Sequence, residues 1–135
     1  MFSERLDLMS KEIISLPNWP DHPFSPAVRA GDYIFLSGSV GTTDADGKEL
    51  KTVAEQTAQC FENIKKTLAA AGASLSDLVK LTVFLCDAAE FGNMNKVYRQ
   101  YFEAPYPARS TVIGGLAMPG MLLEIECIAY KPADK

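Results

Sequence analysis

The chain is poor in the residues from which most metal and redox sites are built. It has one histidine, His22, and three cysteines, Cys60, Cys86 and Cys127, with no C-x-x-C pair and no Cys/His cluster. That pattern counts against a thiolate metal site and against a disulfide framework. The cysteines read as reduced, small apolar core residues. His22, between Asp21 and Pro23 in a proline-rich loop, reads as a solvated side chain rather than a ligand, and no metal or cofactor is expected. Basic runs are scarce too: none exceeds Lys65-Lys66, and the net charge is −4. Nucleic acid is therefore not expected as a main partner, because phosphate backbones call for clustered Lys and Arg. No apolar stretch approaches the roughly 20 residues of a membrane helix. Met1–Ser10 mixes Glu4, Arg5 and Asp7 with short apolar pieces, unlike a secretory or transit peptide. The expectation is a cytoplasmic protein with no membrane partner.

What remains is an ordinary globular composition, 47% hydrophobic and 22% charged over 135 residues, which fits one domain with its own core. Residues 11–16 read as a short strand, after which Pro17, Pro20, Pro23 and Pro26 keep the chain extended and non-helical. Gly31-Asp32 turns into a β-rich run, 33–40, and 42–47 is turn chemistry linking two strand-like arms. Thr52 and Glu55 form a T-x-x-E helix start. Ala54, Ala58, Phe61, Ile64, Leu68 and Ala71 follow at helical spacing, and Gly72 stops the run. A strand over 78–86 and a second amphipathic helix over 88–102 come next, with Phe91, Met94, Tyr98 and Tyr101 or Phe102 inward. Pro105 and Pro107 end that helix, and strands over 110–114 and 121–131 close the chain.

This order predicts an α+β domain with two helices on one face of a mixed sheet. Along 33–40, Ile34, Leu36, Gly38 and Val40 alternate with Tyr33, Phe35, Ser37 and Ser39. In the last strand Leu123, Ile125, Cys127 and Ala129 alternate with Leu122, Glu124, Glu126, Ile128 and Tyr130. Two helices cover one face only. The other is too apolar for solvent yet carries Ser and Glu, as a subunit interface does, so a closed homo-oligomer is expected.

The most informative segment is Tyr106-Pro107-Ala108-Arg109-Ser110-Thr111-Val112, followed by Leu122-Leu123-Glu124-Ile125-Glu126. A guanidinium entering a strand from a proline-fixed loop can be aimed rigidly, and its planar fork grips both oxygens of a carboxylate. Arg109 could equally pair with Glu103 or with a carboxylate of a partner subunit. Glu124 and Glu126 share a sheet face, about 7 Å apart from the ~3.4 Å rise per residue. Either they are surface or interface charges, or one is a general acid/base whose pKa is raised by burial. Ser37-Gly38 offers a hydroxyl and an open backbone amide, although glycine within a strand also marks a bulge. Asn95 on the second helix is a solvated residue on the plain reading.

Together these pieces resemble the Rid family of reactive-intermediate deaminases, also called YjgF or L-PSP, over about residues 13–131. The resemblance rests on Pro23-Phe24-Ser25-Pro26-Ala27-Val28, Leu36-Ser37-Gly38, the 56–72 helix with Asn63-Ile64, and Val79-Lys80-Leu81-Thr82-Val83-Phe84-Leu85. Most specific are Tyr106-Pro107-Ala108-Arg109-Ser110 and Glu124-Ile125-Glu126-Cys127-Ile128-Ala129. It implies a chorismate-mutase-like fold over 1–135, with 1–10 as an N-terminal extension, and a homotrimer with sites in the clefts between subunits. It also implies hydrolysis of small 2-imino or 2-enamino acids, such as 2-aminoacrylate or 2-iminobutanoate, to 2-keto acids and ammonia. By the same resemblance Arg109 holds the substrate carboxylate and Glu124 positions water and carries protons, while Ser37, Gly38, Thr111, Asn95 and Phe24 line the pocket. Phe24 stands where the family often has tyrosine and Thr111 where it often has cysteine, and 113–120 also departs. A dedicated deaminase of the 2-aminomuconate type, a non-catalytic trimer that binds a keto acid or protein, and a ribonuclease or translation inhibitor are the alternatives. The acidic composition counts against the last.

Overall fold

The computed structural model describes residues 11–133; the expected N-terminal extension, 1–10, lies outside them. Six strands and two helices follow in the order β1 (Lys11–Ile14), β2 (Ala27–Ala30), β3 (Tyr33–Ser39), α1 (Val53–Ala70), β4 (Leu78–Leu85), α2 (Phe91–Tyr101), β5 (Ala108–Ile113) and β6 (Leu123–Tyr130). The sheet order is β1-β2-β3-β6-β4-β5. All pairs are antiparallel except β4–β5, which runs parallel because α2 forms the crossover between them.

Alternation within the strands decides which face the helices cover. Ile34 and Leu36 of β3, Leu81, Val83 and Leu85 of β4, and Leu123, Ile125, Cys127 and Ala129 of β6 are buried on one face. They pack against Cys60, Phe61, Ile64 and Leu68 of α1 and Met94 and Tyr98 of α2. The expected two-layer α+β arrangement is observed. The opposite face has no cover among the described residues: Tyr33, Phe35 and Tyr130 are each close to half exposed. Tyr33 pairs with Tyr130 across β3 and β6, with ring centroids 5.3 Å apart.

Several boundaries differ from expectation, each for a local reason. β2 was not foreseen: it is four residues long, starts directly after Pro26 and has no clear apolar alternation. It forms a hairpin with β3 through Gly31, whose φ of +61° suits glycine. The arms around 42–47 meet only in an isolated bridge, Thr43–Glu49. α1 starts as expected at Thr52, whose hydroxyl accepts from the Glu55 amide at 3.1 Å. Phe61, Ile64 and Leu68 are buried as expected, but the first turns differ. Ala54 is exposed, and Gln56 and Thr57 are buried instead. Gln56 is tolerated there because its amide donates to the Leu50 and Gly120 carbonyls at 2.8 and 2.9 Å and accepts from the Leu122 amide at 2.9 Å. The second helix begins later than expected: Ala88–Glu90 is a 3-10 turn capped by Asp87. Cys86 is exposed, so only Cys60 and Cys127 are the buried residues expected.

One correction bears on function. Leu36 pairs with Cys127, but Ser39 pairs with Ile125, so β3 spends three residues where β6 spends two. This bulge at Ser37-Gly38 reverses the alternation expected along 33–40. Ser39 turns to the helix side and donates to the Cys60 carbonyl at 3.1 Å. Gly38 faces Glu124.

Candidate functional site

Arg109 owes its direction to register. On β5 it pairs with Leu81, and Thr111 pairs with Val83. Both partners point into the core, so Arg109 and Thr111 point to the helix side of the sheet. The guanidinium lies over the Tyr98 ring at 4.6 Å and near the Phe91 ring at 5.6 Å, both from α2. Such stacking holds a charge while leaving its in-plane donors available. Among the described residues no carboxylate lies within 4.0 Å of Arg109, and the pairing with Glu103 considered above is not formed. In front of it is a cleft of about 220 Å³ lined by Asn95, Tyr98, Arg99, Tyr106, Pro107 and Arg109. Asn95, Tyr98 and Arg99 reach it together through their i, i+3 and i+4 spacing.

Tyr98 is nearly buried and its hydroxyl has no hydrogen-bond partner among the described residues. Burial pushes its pKa up, against the opposing pull of the Arg109 charge. The sequence had placed Tyr98 and Phe91 in the core. Phe91 is instead 43% exposed beside the arginine.

Glu124 lies elsewhere. It pairs with Phe84 on β4, which pairs in turn with Val112 on β5, and so belongs to the uncovered face. Burial, and then the charge of Glu126, raise its pKa above the ordinary carboxylate value. Its carboxylate occupies the space where Gly38 lacks a side chain: a β-carbon there would overlap Glu124 Oε2 and come within 2.7 Å of Cδ. The glycine is thus a close-approach glycine that also sits in a bulge, as glycine within a strand often does.

Phe24, Ser37 and Gly38 meet in a second cavity of about 310 Å³, joined by Trp19 and His22. Phe24 stacks on His22 at 4.8 Å, and Trp19 Nε1 donates to the Phe24 carbonyl at 3.0 Å. His22 is exposed as expected but serves this aromatic group; its neighbours Trp19 and Phe24 two to three residues away were the available signal. The Ser37 hydroxyl donates to the Ser25 carbonyl at 2.6 Å, so toward a ligand it acts as an acceptor.

The single chain therefore brings Arg109 and Asn95 together in one cleft, with Thr111 on the same face. It brings Phe24, Ser37 and Gly38 together in the second cavity and sets Gly38 against Glu124, which does not line that cavity. It does not join the two groups. β4 separates β5 from β6, and Arg109 and Glu124 are three residues out of register on opposite faces. With strands ~4.8 Å apart and ~3.4 Å of rise per residue, their α-carbons are about 14 Å apart. The buried thiols Cys60 and Cys127, each pushed up to about 12 chiefly by burial, are not nucleophiles. Among the described residues no group of three or more His, Cys, Asp or Glu is placed to hold a metal ion. No described helix is long and apolar enough to cross a membrane.

A six-stranded mixed sheet with two helices packed on one face defines an α+β class of fold. The family profile described as Endoribonuclease L-PSP matches residues 17–131, and the chain belongs to that family, which is also the Rid family the sequence resembles. It is 42% identical over 124 residues to a RutC family protein of Pyrococcus horikoshii, covering 90% of this chain and 98% of that one. It is 37% identical over 123 residues to the 2-iminobutanoate/2-iminopropanoate deaminase of Dermatophagoides farinae, covering 87% and 94%. Among solved structures, Escherichia coli TdcF with bound serine superposes with a TM-score of 0.80 at 34% identity, covering 89% of this chain and 98% of that one.

Proposed function

We propose that this chain is an enamine/imine deaminase that hydrolyses small 2-imino carboxylic acids, such as 2-iminobutanoate, to 2-keto acids and ammonia. The observation that carries the reading is the Arg109 guanidinium, stacked on Tyr98 with no acidic partner among the described residues, before a cleft of small-molecule size. The relative named 2-iminobutanoate/2-iminopropanoate deaminase and the serine-bound neighbour support the same ligand class.

The chemistry follows from two groups. Arg109 grips the carboxylate and fixes the adjacent imino carbon, which is already electrophilic. Glu124 takes a proton from water as its oxygen adds to that carbon, and returns a proton to the nitrogen. Glu124 then relays the hydroxyl proton to the nitrogen as the C–N bond breaks, so that ammonia leaves and the keto group forms. A raised Glu124 pKa suits both halves of this exchange, and acid/base help of this kind is worth ~10²–10⁴-fold.

Because one chain holds Arg109 and Glu124 on opposite faces, the reading requires a second copy to bring its Glu124 group against the Arg109 cleft. We infer a homotrimer, closed over the bare sheet face, with Ser37, Gly38 and Phe24 from one subunit and Arg109, Thr111 and Asn95 from the next. The apolar, half-exposed Tyr33, Phe35 and Tyr130 support burial of that face. A cytoplasmic setting is part of the proposal, and cell fractionation tests it. An endoribonuclease role would need a phosphate-binding surface at odds with the net charge of −4.

The test is a coupled assay in which threonine dehydratase generates the imine and its decay is followed with and without the protein. Acceleration by the wild type, lost in Arg109→Ala, supports the reading; no acceleration by the wild type overturns it. Glu124→Gln losing turnover while keto-acid binding survives separates catalysis from a purely ligand-binding role. Light scattering should give three times the 14.7 kDa chain mass; the mass of a single chain would refute the shared site.

A further inference from the structure

The cleft before Arg109 contains a second guanidinium that the proposed reaction does not use. Arg99 follows Asn95 by four residues on α2 and lines the same cleft. Its place in the last turn of the helix favours a cation on general grounds. That accounts for the sign of the charge but not for its position beside Arg109. Among the described residues no carboxylate of the same chain lines the cleft, although acidic residues outnumber basic ones in the chain, 17 to 13. Among the described residues the ion pairs are Arg29–Glu12 and Lys65–Glu62, so neither cleft arginine is neutralised by one. The remaining polar lining is the Asn95 amide and the hydroxyls of Tyr98 and Tyr106, none of them a carboxylate. In the proposed trimer the partner subunit's Glu124 faces the imino nitrogen and the substrate carboxylate meets Arg109, so the charge of Arg99 is left unanswered by a ligand with a single carboxylate. The two cations match one with a carboxylate at each end.

We propose that Arg99 is a specificity-determining residue and that the cleft takes a short 2-imino dicarboxylic acid, with the reacting end on Arg109 and the distal carboxylate on Arg99. The inference rests on the reading of Arg109 as the carboxylate clamp. The substrate would be the imine of an acidic amino acid, and the product the corresponding keto dicarboxylate. Arg99 is exposed, so its contribution is screened by salt and modest in size.

Calorimetry with two keto acids of equal chain length tests this. 2-Oxoglutarate carries the distal carboxylate and 2-oxopentanoate lacks it. The wild type at low salt should bind 2-oxoglutarate about two- to fivefold more tightly, a preference that shrinks at ~0.5 M salt. In Arg99→Gln the ratio between the two acids should fall to near one, with the melting temperature and oligomer mass unchanged. Arg109→Ala should lose both acids. A wild-type ratio near one, or a ratio that Arg99→Gln leaves unaltered, overturns the inference while the clamp stands. If the wild type binds neither acid, or Arg109→Ala binds both as the wild type does, the clamp reading fails and the inference falls with it.

Discussion

The Tyr98 ring lies 4.6 Å beneath the Arg109 guanidinium, and its buried hydroxyl has no other partner among the described residues. The ring fixes the plane of the fork without occupying its donors, which is what a reusable carboxylate clamp needs. Replacing the ring should therefore weaken capture more than folding. Tyr98→Leu is expected to weaken 2-ketobutyrate binding by about 3- to 30-fold, the scale of one lost cation–π contact. Tyr98→Phe keeps the ring and should stay near wild type. Calorimetry on both variants, with melting temperatures as the folding control, decides it. Equal affinities in the two would refute the platform.

Gly38 and Glu124 form a second linked pair. Gly38→Ala places a methyl group on the Glu124 carboxylate, so turnover in the coupled imine assay should fall at least about tenfold for a displacement of the order of 1 Å. The shorter side chain of Glu124→Asp should partly relieve the clash. Gly38→Ala combined with Glu124→Asp is thus expected to melt higher than the two single changes added together. Strict additivity would show that the two residues do not touch.

The raised pKa of Glu124 has a definite consequence for stability. A carboxyl that holds its proton more tightly in the folded chain contributes stability that is whole below the ordinary carboxylate range, around pH 4. That contribution is lost as the pH rises through the raised value, because ionising Glu124 then opposes folding. Glu124→Gln cannot ionise. Its melting temperature relative to wild type should rise between about pH 4 and about pH 7.5. A difference that stays flat with pH would mean an ordinary carboxylate.

Gln56 joins α1 to the segments that enter β6. Gln56→Leu removes an amide bonded to Leu50, Gly120 and Leu122 and strands three backbone groups. With about 1–3 kcal/mol for each buried group left unsatisfied, a loss of about 3 kcal/mol or more is expected. Urea unfolding measures it, and a change below about 1 kcal/mol would show that water replaces the side chain.

The helices and the core strands were legible because their signals are local. The Thr52 cap with Glu55, the apolar spacing from Phe61 to Leu68 and the alternation in Leu81–Leu85 act over a few residues. β2 was not legible, since four residues after a proline become a strand only when β1 and β3 lie on either side to pair with them. Nor was the burial of Gln56 at the start of α1, because it is welcome in the interior only once Leu50, Gly120 and Leu122 converge on it. The parity of Ser37, Gly38 and Ser39 failed for a related reason: a bulge is a property of two strands in register, not of one strand's composition.

The sequence alone determined the chemical candidates. A rigidly introduced Arg109, the Glu124–Glu126 pair and the poverty in histidine and clustered cysteine are matters of residue type and near-neighbour spacing. Tertiary structure decided how they are deployed. Parallel pairing with β4 turned Arg109 toward α2, where Tyr98 and Phe91 hold it, while antiparallel pairing set Glu124 on the other face against Gly38. Side-chain direction depends on register between strands remote in sequence, and no local pattern contains that information.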